Sequence, residues 1–460
     1  MSSASPHRQT ATESTDPEDD LAAHARQVLR QNDGGGWTKA APFLYPHQWS
    51  WDSAFIAMGW AQFDLPRAGA ELRHLFSAQW RNGMVPHIVF DPAAEPGSYF
   101  PDHTWWAADR SPDAPRSAPF TSGLCQPPVH ALAVQRMWQV ARRSGGPVVD
   151  QTRAYLAEMF PKLLAWHRYL AERRDPQGSG LVTIYHPWES ADNSPRWDVV
   201  MDRIEVGDLP AYRRRDTAHV SDAAQRPTDA HYDCYLWLVE LLKEQRYDDA
   251  AVHREHPFLI KDVFFSAVLV AANTALMEIA DVVGADHATR RTIARWIDTG
   301  RRGAATAVNT ATGLAYDIDL RTGLPIPTRT FAGLAPLLVG GGNAVQRVDA
   351  LEAFDSADFT GHADLRWALL PSTSPHDPRF EPRNYWRGPV WPVVNWLFWR
   401  ALRADGESDR AERLRQAGLT SLREVGFAEY IEPLTGEPLG SPMQSWTAAV
   451  ALDWLAAEAA

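Results

Sequence analysis

Cysteine is nearly absent from this chain: Cys125 and Cys234 are the only two in 460 residues. Two are too few for a disulfide framework and lack the spacing of a zinc site, so a reducing cytoplasm is the simplest expectation. Lysine is almost as scarce, with four among the 45 basic residues, and the acidic side chains outnumber the basic ones to give a net charge of −12. That balance disfavours a nucleic-acid groove or a face for anionic membranes, which both need a basic patch, while a local basic pocket is still allowed. No apolar run approaches bilayer length, and the opening MSSASPHRQTATESTDPEDD lacks the apolar core of a secretory signal. Its Ser, Thr, Pro and acids have little apolar surface to offset the cost of ordering, so residues 1–20 are expected to be a disordered tail before a folded domain over 21–460. The GGG at Gly340 lacks the Lys and Ser/Thr of a phosphate loop. His and acidic residues never fall at metalloprotease spacing, so no zinc site is expected.

What the chain does have is helical periodicity. About twelve amphipathic patterns recur, over 21–29, 51–58, 67–80, 129–143, 153–173, 232–245, 258–280, 287–304, 329–338, 390–403, 409–423 and 441–457. In 232–245, Tyr235, Leu236, Leu238, Val239, Leu241 and Leu242 form one broad apolar face. Segments 83–128, 176–231 and 371–389 are long and rich in Pro, Gly and Trp, and connections of this length in a compact domain are usually functional. No period-two strands alternate with the helices, which disfavours a doubly wound sheet or a TIM barrel. The expectation is an all-α toroid with long loops on one rim, a small cap region formed by 83–128 and 176–231, and short hairpins in the loops, for example around 181–185.

Two of the connections carry acids between aromatics. HPWESADNSPRWD, from His186 to Asp198, holds five ionisable residues and two Trp around two prolines; GFAEYIEPLTGEPLG, from Gly426 to Gly440, holds Glu429, Glu432 and Glu437. Pro187 and Pro195 interrupt regular hydrogen bonding, so the first reads as an active-site loop. Inverting glycoside hydrolysis needs one carboxylic acid to protonate the leaving oxygen and an opposed carboxylate to activate water. Asp192 and Glu429 are the candidate pair, although an Asp before Asn-Ser-Pro is, by itself, more often a turn or cap residue. In YPHQWSWD, Tyr45, Trp49, Trp51 and Asp52 could equally be a buried aromatic helix start or a sugar subsite. In RNYWRGPVWPVVNWLFW, Tyr385, Trp386 and Trp391 are candidates for the site wall, while Trp396 and Trp399 read as helix core. Gln126 and Gln444 stand at helix entrances, where capping is the commoner role, and His87 alone reads as a satisfied core histidine.

Taken in order, YPHQWSWD, AQWRNGMVPHIVF, CQPPVHA, HPWESADNSPRWD, QRPTDAHYD, YWRGPVWP and FAEYIEPLTGEPLGSPMQSWTAA resemble the bacterial members of glycoside hydrolase family 63, from about Leu21 to Leu455. The resemblance implies an (α/α)6 barrel and an inverting α-glycosidase that hydrolyses glucosylglycerate, with mannosylglycerate as a further substrate, to hexose and D-glycerate; this hydrolysis calls for no cofactor. It implies Asp192 as general acid and Glu429 as general base. Tyr45, Trp49, Trp51, Asp52, Gln126, Trp188 and Gln444 match positions that hold the glycosyl unit. His87, Tyr99, Arg226, Tyr232 and Tyr385 match positions lining the acceptor side, where Arg226 would meet the glycerate carboxylate. The family pattern has one more residue between the acids than Glu189-Ser190-Ala191-Asp192, which bears on the placement of Asp192. A hydrolase of neutral α-glucosides and a catalytically silent sugar-binding toroid are the rival readings. The expected partner is a small glycoside, with neither nucleic acid nor membrane; a homodimer is a common state for such chains, but no residue argues for it.

Overall fold

In this computed structural model, which describes residues 17–220, 222–340 and 342–457, helical segments alternate between an outer and an inner ring. The inner ring consists of Ser50–Ala61, His130–Ser144, Val263–Val283, the 3₁₀ segment Phe331–Val339, Pro392–Ala404 and Ser445–Leu455. Each packs on the next, and the last closes on the first. Pro17–Gln31, Leu65–Ser77, Pro147–Glu172, His287–Thr306, Ala344–Asp355 and Ser408–Val425 form the outer ring, each against an inner neighbour. This is an (α/α)6 barrel.

Sequence separates the two rings. Every residue of Ser50–Ala61 is buried, whereas His287–Thr306 buries only Ile293, Gly300, Gly303 and Ala304 and faces solvent with its Arg-rich side. Ring closure needs a glycine at Gly59, because a Cβ there would lie 2.6 Å from the Ala449 backbone. Helix starts are fixed locally: the Asp262 side chain accepts from Phe265 N, while Pro147 and Pro392 occupy first-turn positions that need no N–H donor.

Several sequence expectations are corrected. The first outer helix begins at Pro17, so 17–20 are not tail; Glu18, Asp19 and Asp20 form its acidic first turn and complement the helix dipole, and Glu18 pairs with Arg423. Residues 1–16 of the expected tail lie outside the described residues. The apolar pattern at 232–245 is a true helix, Asp229–Glu244, but it stands outside the rings and braces the active-site loops. An outer helix, Ala344–Asp355, went unread because exposed Val345 and Val348 blur its amphipathic signal. Thr183–Ile184 forms no local hairpin; it joins Ile260–Lys261, Asp317–Asp319 and Leu324–Ile326 in a four-stranded antiparallel sheet. Contrary to the expectation about apolar runs, Val263–Val283 is long and apolar enough to cross a membrane, with mean hydropathy 1.8, but it is an inner-ring helix with 78% of its most apolar window buried inside the protein.

Candidate active site

The long loops gather over one mouth of the barrel and line a cavity that opens to solvent. Asp192 and Glu429 line this one cavity despite the shortened loop. Tyr45, Trp49, Trp51, Asp52, His87, Tyr99, Gln126, Trp188, Arg226, Tyr232, Tyr385, Trp386 and Gln444 line it as well. Trp391 does not. It lies one layer back, stacked on Trp386 at 3.9 Å between ring centroids, with its Nε1 donating to the Tyr385 carbonyl at 3.2 Å. The helix Pro392–Ala404 starts at the next residue, and this fixes the Trp391 side chain against the ring wall.

Most charges in the acid loop build the site without entering it. Glu189 is fully buried and takes two hydrogen bonds from Arg174, at 2.6 and 2.8 Å, plus the backbone N–H groups of Tyr185 and Cys125. Arg196 spans Asp262 and Asp317, and Asp198 receives both terminal nitrogens of Arg387. His186 donates to the Tyr235 carbonyl through Nε2 and accepts from Trp188 N–H at Nδ1, so it acts as the cap of a short turn. An unpaired charge could not stay buried here, so each ion acquires a partner. Asp192 alone turns to the cavity, its backbone carbonyl held by Tyr235 Oη at 3.1 Å and the adjoining Asn193 tied to Asn384. We expect Glu189→Ala to strand Arg174 in the interior and destabilise the fold by about 3–5 kcal/mol in denaturant unfolding; a change below about 1 kcal/mol would contradict this anchoring role.

The second acidic loop divides in the same way. Glu432 accepts from Leu434 N and Thr435 N inside its turn, and Glu437 pairs with Arg383 at the surface. Glu429 precedes the hairpin strand Tyr430–Ile431 and points inward. Its Oε1 accepts from Tyr45 Oη at 2.8 Å and its Oε2 from Ser441 N at 2.9 Å. Gly440, at φ +72°, makes room: a Cβ would stand 2.5 Å from Glu429 Oε2. Tyr385 is held at φ +43°, a costly conformation for a bulky residue, which places its ring 4.1 Å from the Arg226 guanidinium carbon and its hydroxyl 3.3 Å from that of Tyr45.

Burial is the largest influence on the ionisable groups. It raises the Asp192 carboxyl to about 7 against the pull of Arg226. It also raises Glu429, opposed by Arg226, and lifts Asp52 well above the carboxylate range. His87 is pushed down to about 3 by burial and stays neutral, its Nδ1 paired with Ser122 Oγ at 2.7 Å. It is thus both a satisfied core histidine and a wall residue. Gln444 stands at the start of Ser445–Leu455 without making a side-chain cap, and its Oε1 is buried without a partner; Gln126 Oε1 accepts from Trp51 N at 3.4 Å.

Sequence reasoning missed Ser98, Ser190, Arg215, Asp216 and Trp446 in the wall. Trp446, two residues after Gln444, was legible as the next inward position at a helix start. Asp216 carried no such signal, because the RRRD run reads as a solvated loop; it accepts two bonds from Arg214 and stands 3.6 Å from Arg226 Nε.

A polar cavity with three carboxyls raised by burial, aromatic walls and a guanidinium is suited to acid–base cleavage of a glycoside. Comparison with known proteins agrees. The family model for the mannosylglycerate hydrolase MGH1-like glycoside hydrolase domain matches residues 45–447. The chain is 47% identical over 437 residues to a glucosylglycerate hydrolase of Mycolicibacterium hassiacum, covering 95% of this chain and 97% of that one. It is 40% identical over 446 residues to a mannosylglycerate hydrolase of Rubrobacter radiotolerans, covering 95% and 96%. Its fold matches the crystal structure of a GH63 mannosylglycerate hydrolase from Thermus thermophilus in complex with Tris and D-glycerate, with TM-score 0.85, 41% identity, and coverage of 94% and 99%. With a site built for this chemistry and likeness along almost its whole length, the chain belongs to the MGH1-like glycoside hydrolases of family 63.

Proposed function

We propose that this protein hydrolyses glucosylglycerate, and mannosylglycerate as a further substrate, to the hexose and D-glycerate with inversion at the anomeric carbon. The observation that carries this reading is Arg226: it lies in the cavity between the two acids' loops, and its Nε and Nη1 are buried without hydrogen-bond partners. A guanidinium in the cavity wall whose Nε and Nη1 lie beyond hydrogen-bond range of any protein acceptor suits a carboxylate ligand. The likeness to a glucosylglycerate hydrolase supports glucose as the hexose.

In this mechanism the aromatic wall covers the apolar C–H face of the sugar while Asp52 and Gln444 bond its hydroxyls. Asp192 gives its proton to the glycosidic oxygen as the bond from that oxygen to the anomeric carbon breaks, the electron pair leaving with the glycerate. Water bonds to the anomeric carbon from the opposite face and loses one proton to Glu429. Asp192 must begin protonated and Glu429 ionised. The value of about 7 for Asp192 therefore sets an alkaline limb: kcat/KM falls as the pH rises through about 7, and Glu429, raised by burial, sets an acid limb above the range of a free glutamate. A pH profile of kcat/KM checks both, and a rate that stays flat into mildly alkaline buffer would contradict the role of Asp192.

The reading is tested by turnover of glucosylglycerate against glucosylglycerol, its neutral counterpart, in wild type and Arg226→Ala. Wild type is expected to prefer the acid, with the variant losing about 10-fold or more of kcat/KM on glucosylglycerate and little on glucosylglycerol. Equal loss on both substrates would overturn the carboxylate assignment.

A further inference from the structure

The base and the acceptor pocket share one cation. Arg226 Nη2 donates to Tyr45 Oη at 3.0 Å, the same hydroxyl donates to Glu429 Oε1, and Arg226 Nη1 stands 3.8 Å from that carboxylate oxygen. A cation this close favours the ionised carboxylate and so weakens it as a proton acceptor. Yet Arg226 also lines the ligand space, and its Nε and Nη1 have no hydrogen-bond partner in the protein. Resting on the functional reading above, we propose that the acceptor's carboxylate, by docking on Arg226, strengthens Glu429 as the base. The negative charge of the substrate would then activate its own hydrolysis as well as secure its binding.

The surroundings of Glu429 support this. Facing it are the hydroxyls of Tyr45 and Tyr385, the Ser441 N–H, Asp52 from the inner helix, Asp192 from the acid loop and the neighbouring Tyr430. Of these and Arg226, only Arg226 is a cation. Asp216 lies 3.6 Å from Arg226 Nε, and Arg214 bonds both its oxygens, so this one carboxylate is shared between two guanidinium groups. An arriving carboxylate meets a guanidinium whose charge is still felt by the base. Neutralising a charge several ångströms away inside a protein moves a carboxyl by on the order of one pH unit, and with a proton about half transferred this becomes a rate change of about three- to tenfold.

The experiment uses α-glucosyl fluoride, whose departure leaves the acceptor pocket vacant. The C–F bond breaks with its electron pair passing to fluoride, water bonds to the anomeric carbon, and the water proton goes to Glu429. D-Glycerate added to wild-type protein is expected to stimulate fluoride release about three- to tenfold with saturation, and glycerol to do nothing. Saturating D-glycerate is also expected to move the acid limb of fluoride release upward by about one pH unit, a change that mere ordering of the pocket would not produce. Arg226→Gln should lose the stimulation. Inhibition by D-glycerate, an effect matched by glycerol, or an unmoved acid limb in wild type overturns the inference while leaving hydrolysis of glucosylglycerate intact. Failure to release fluoride under any condition, together with failure to cleave glucosylglycerate, overturns the functional reading beneath it.

Discussion

Asp192→Asn lowers kcat on glucosylglycerate by about 10²–10⁴-fold while the protein still unfolds cooperatively at its normal temperature. Asparagine keeps the volume and the backbone contacts of Asp192, including the carbonyl that accepts from Tyr235, but it has no proton to give. The loss should track the leaving group. Glycerate departs as a poor alkoxide and needs the proton, whereas fluoride departs readily, so α-glucosyl fluoride should retain most of its rate. Equal loss on the two substrates would place Asp192 in binding and outside proton transfer.

Glu429→Gln gives the complementary pattern: turnover drops by about 10²–10⁴-fold on glucosylglycerate and α-glucosyl fluoride alike, because both need an activated water. The amide oxygen can still accept from Tyr45 or Ser441, so substrate affinity measured by calorimetry should change little. Retained activity on the fluoride would show that another group accepts the water's proton. Of the other two carboxyls in the cavity wall, Asp52 is pushed up from its ordinary value by burial and Asp216 is engaged by Arg214.

The barrel was legible because its information is local and repetitive. Inner segments such as Ser50–Ala61 are apolar on every side and outer ones carry a single stripe, a contrast that periodicity detects. The count near twelve nonetheless rested on two offsetting errors. Asp229–Glu244 has a strong apolar face because it braces the acid loop through Tyr232 and Tyr235, not because it belongs to a ring; Ala344–Asp355 belongs to a ring but exposes two valines.

At the site, sequence could find the acidic loops but could not sort their charges. Glu189 and Asp192 stand three residues apart in one loop, yet one is sealed against Arg174 and the other faces the ligand space. That choice depends on Arg174 and Arg387, which come from outside the loop and take Glu189 and Asp198, leaving Asp192. Trp386 and Trp391 pose the same difficulty: five residues apart and parallel, one forms the wall and the other backs it. Motif resemblance recovered the wall residues that composition left balanced, and only the folded chain revealed Asp216 beside Arg226.

Opposed acid and base, with water attacking directly, are the centre of this mechanism, and the anomer first released reports on them. Proton NMR of α-glucosylglycerate hydrolysis in the first minutes, before mutarotation, should show β-glucose appearing first and α-glucose growing only as the anomers equilibrate. Initial α-glucose would mean a covalent or same-face route and would contradict Glu429 acting as a base through water.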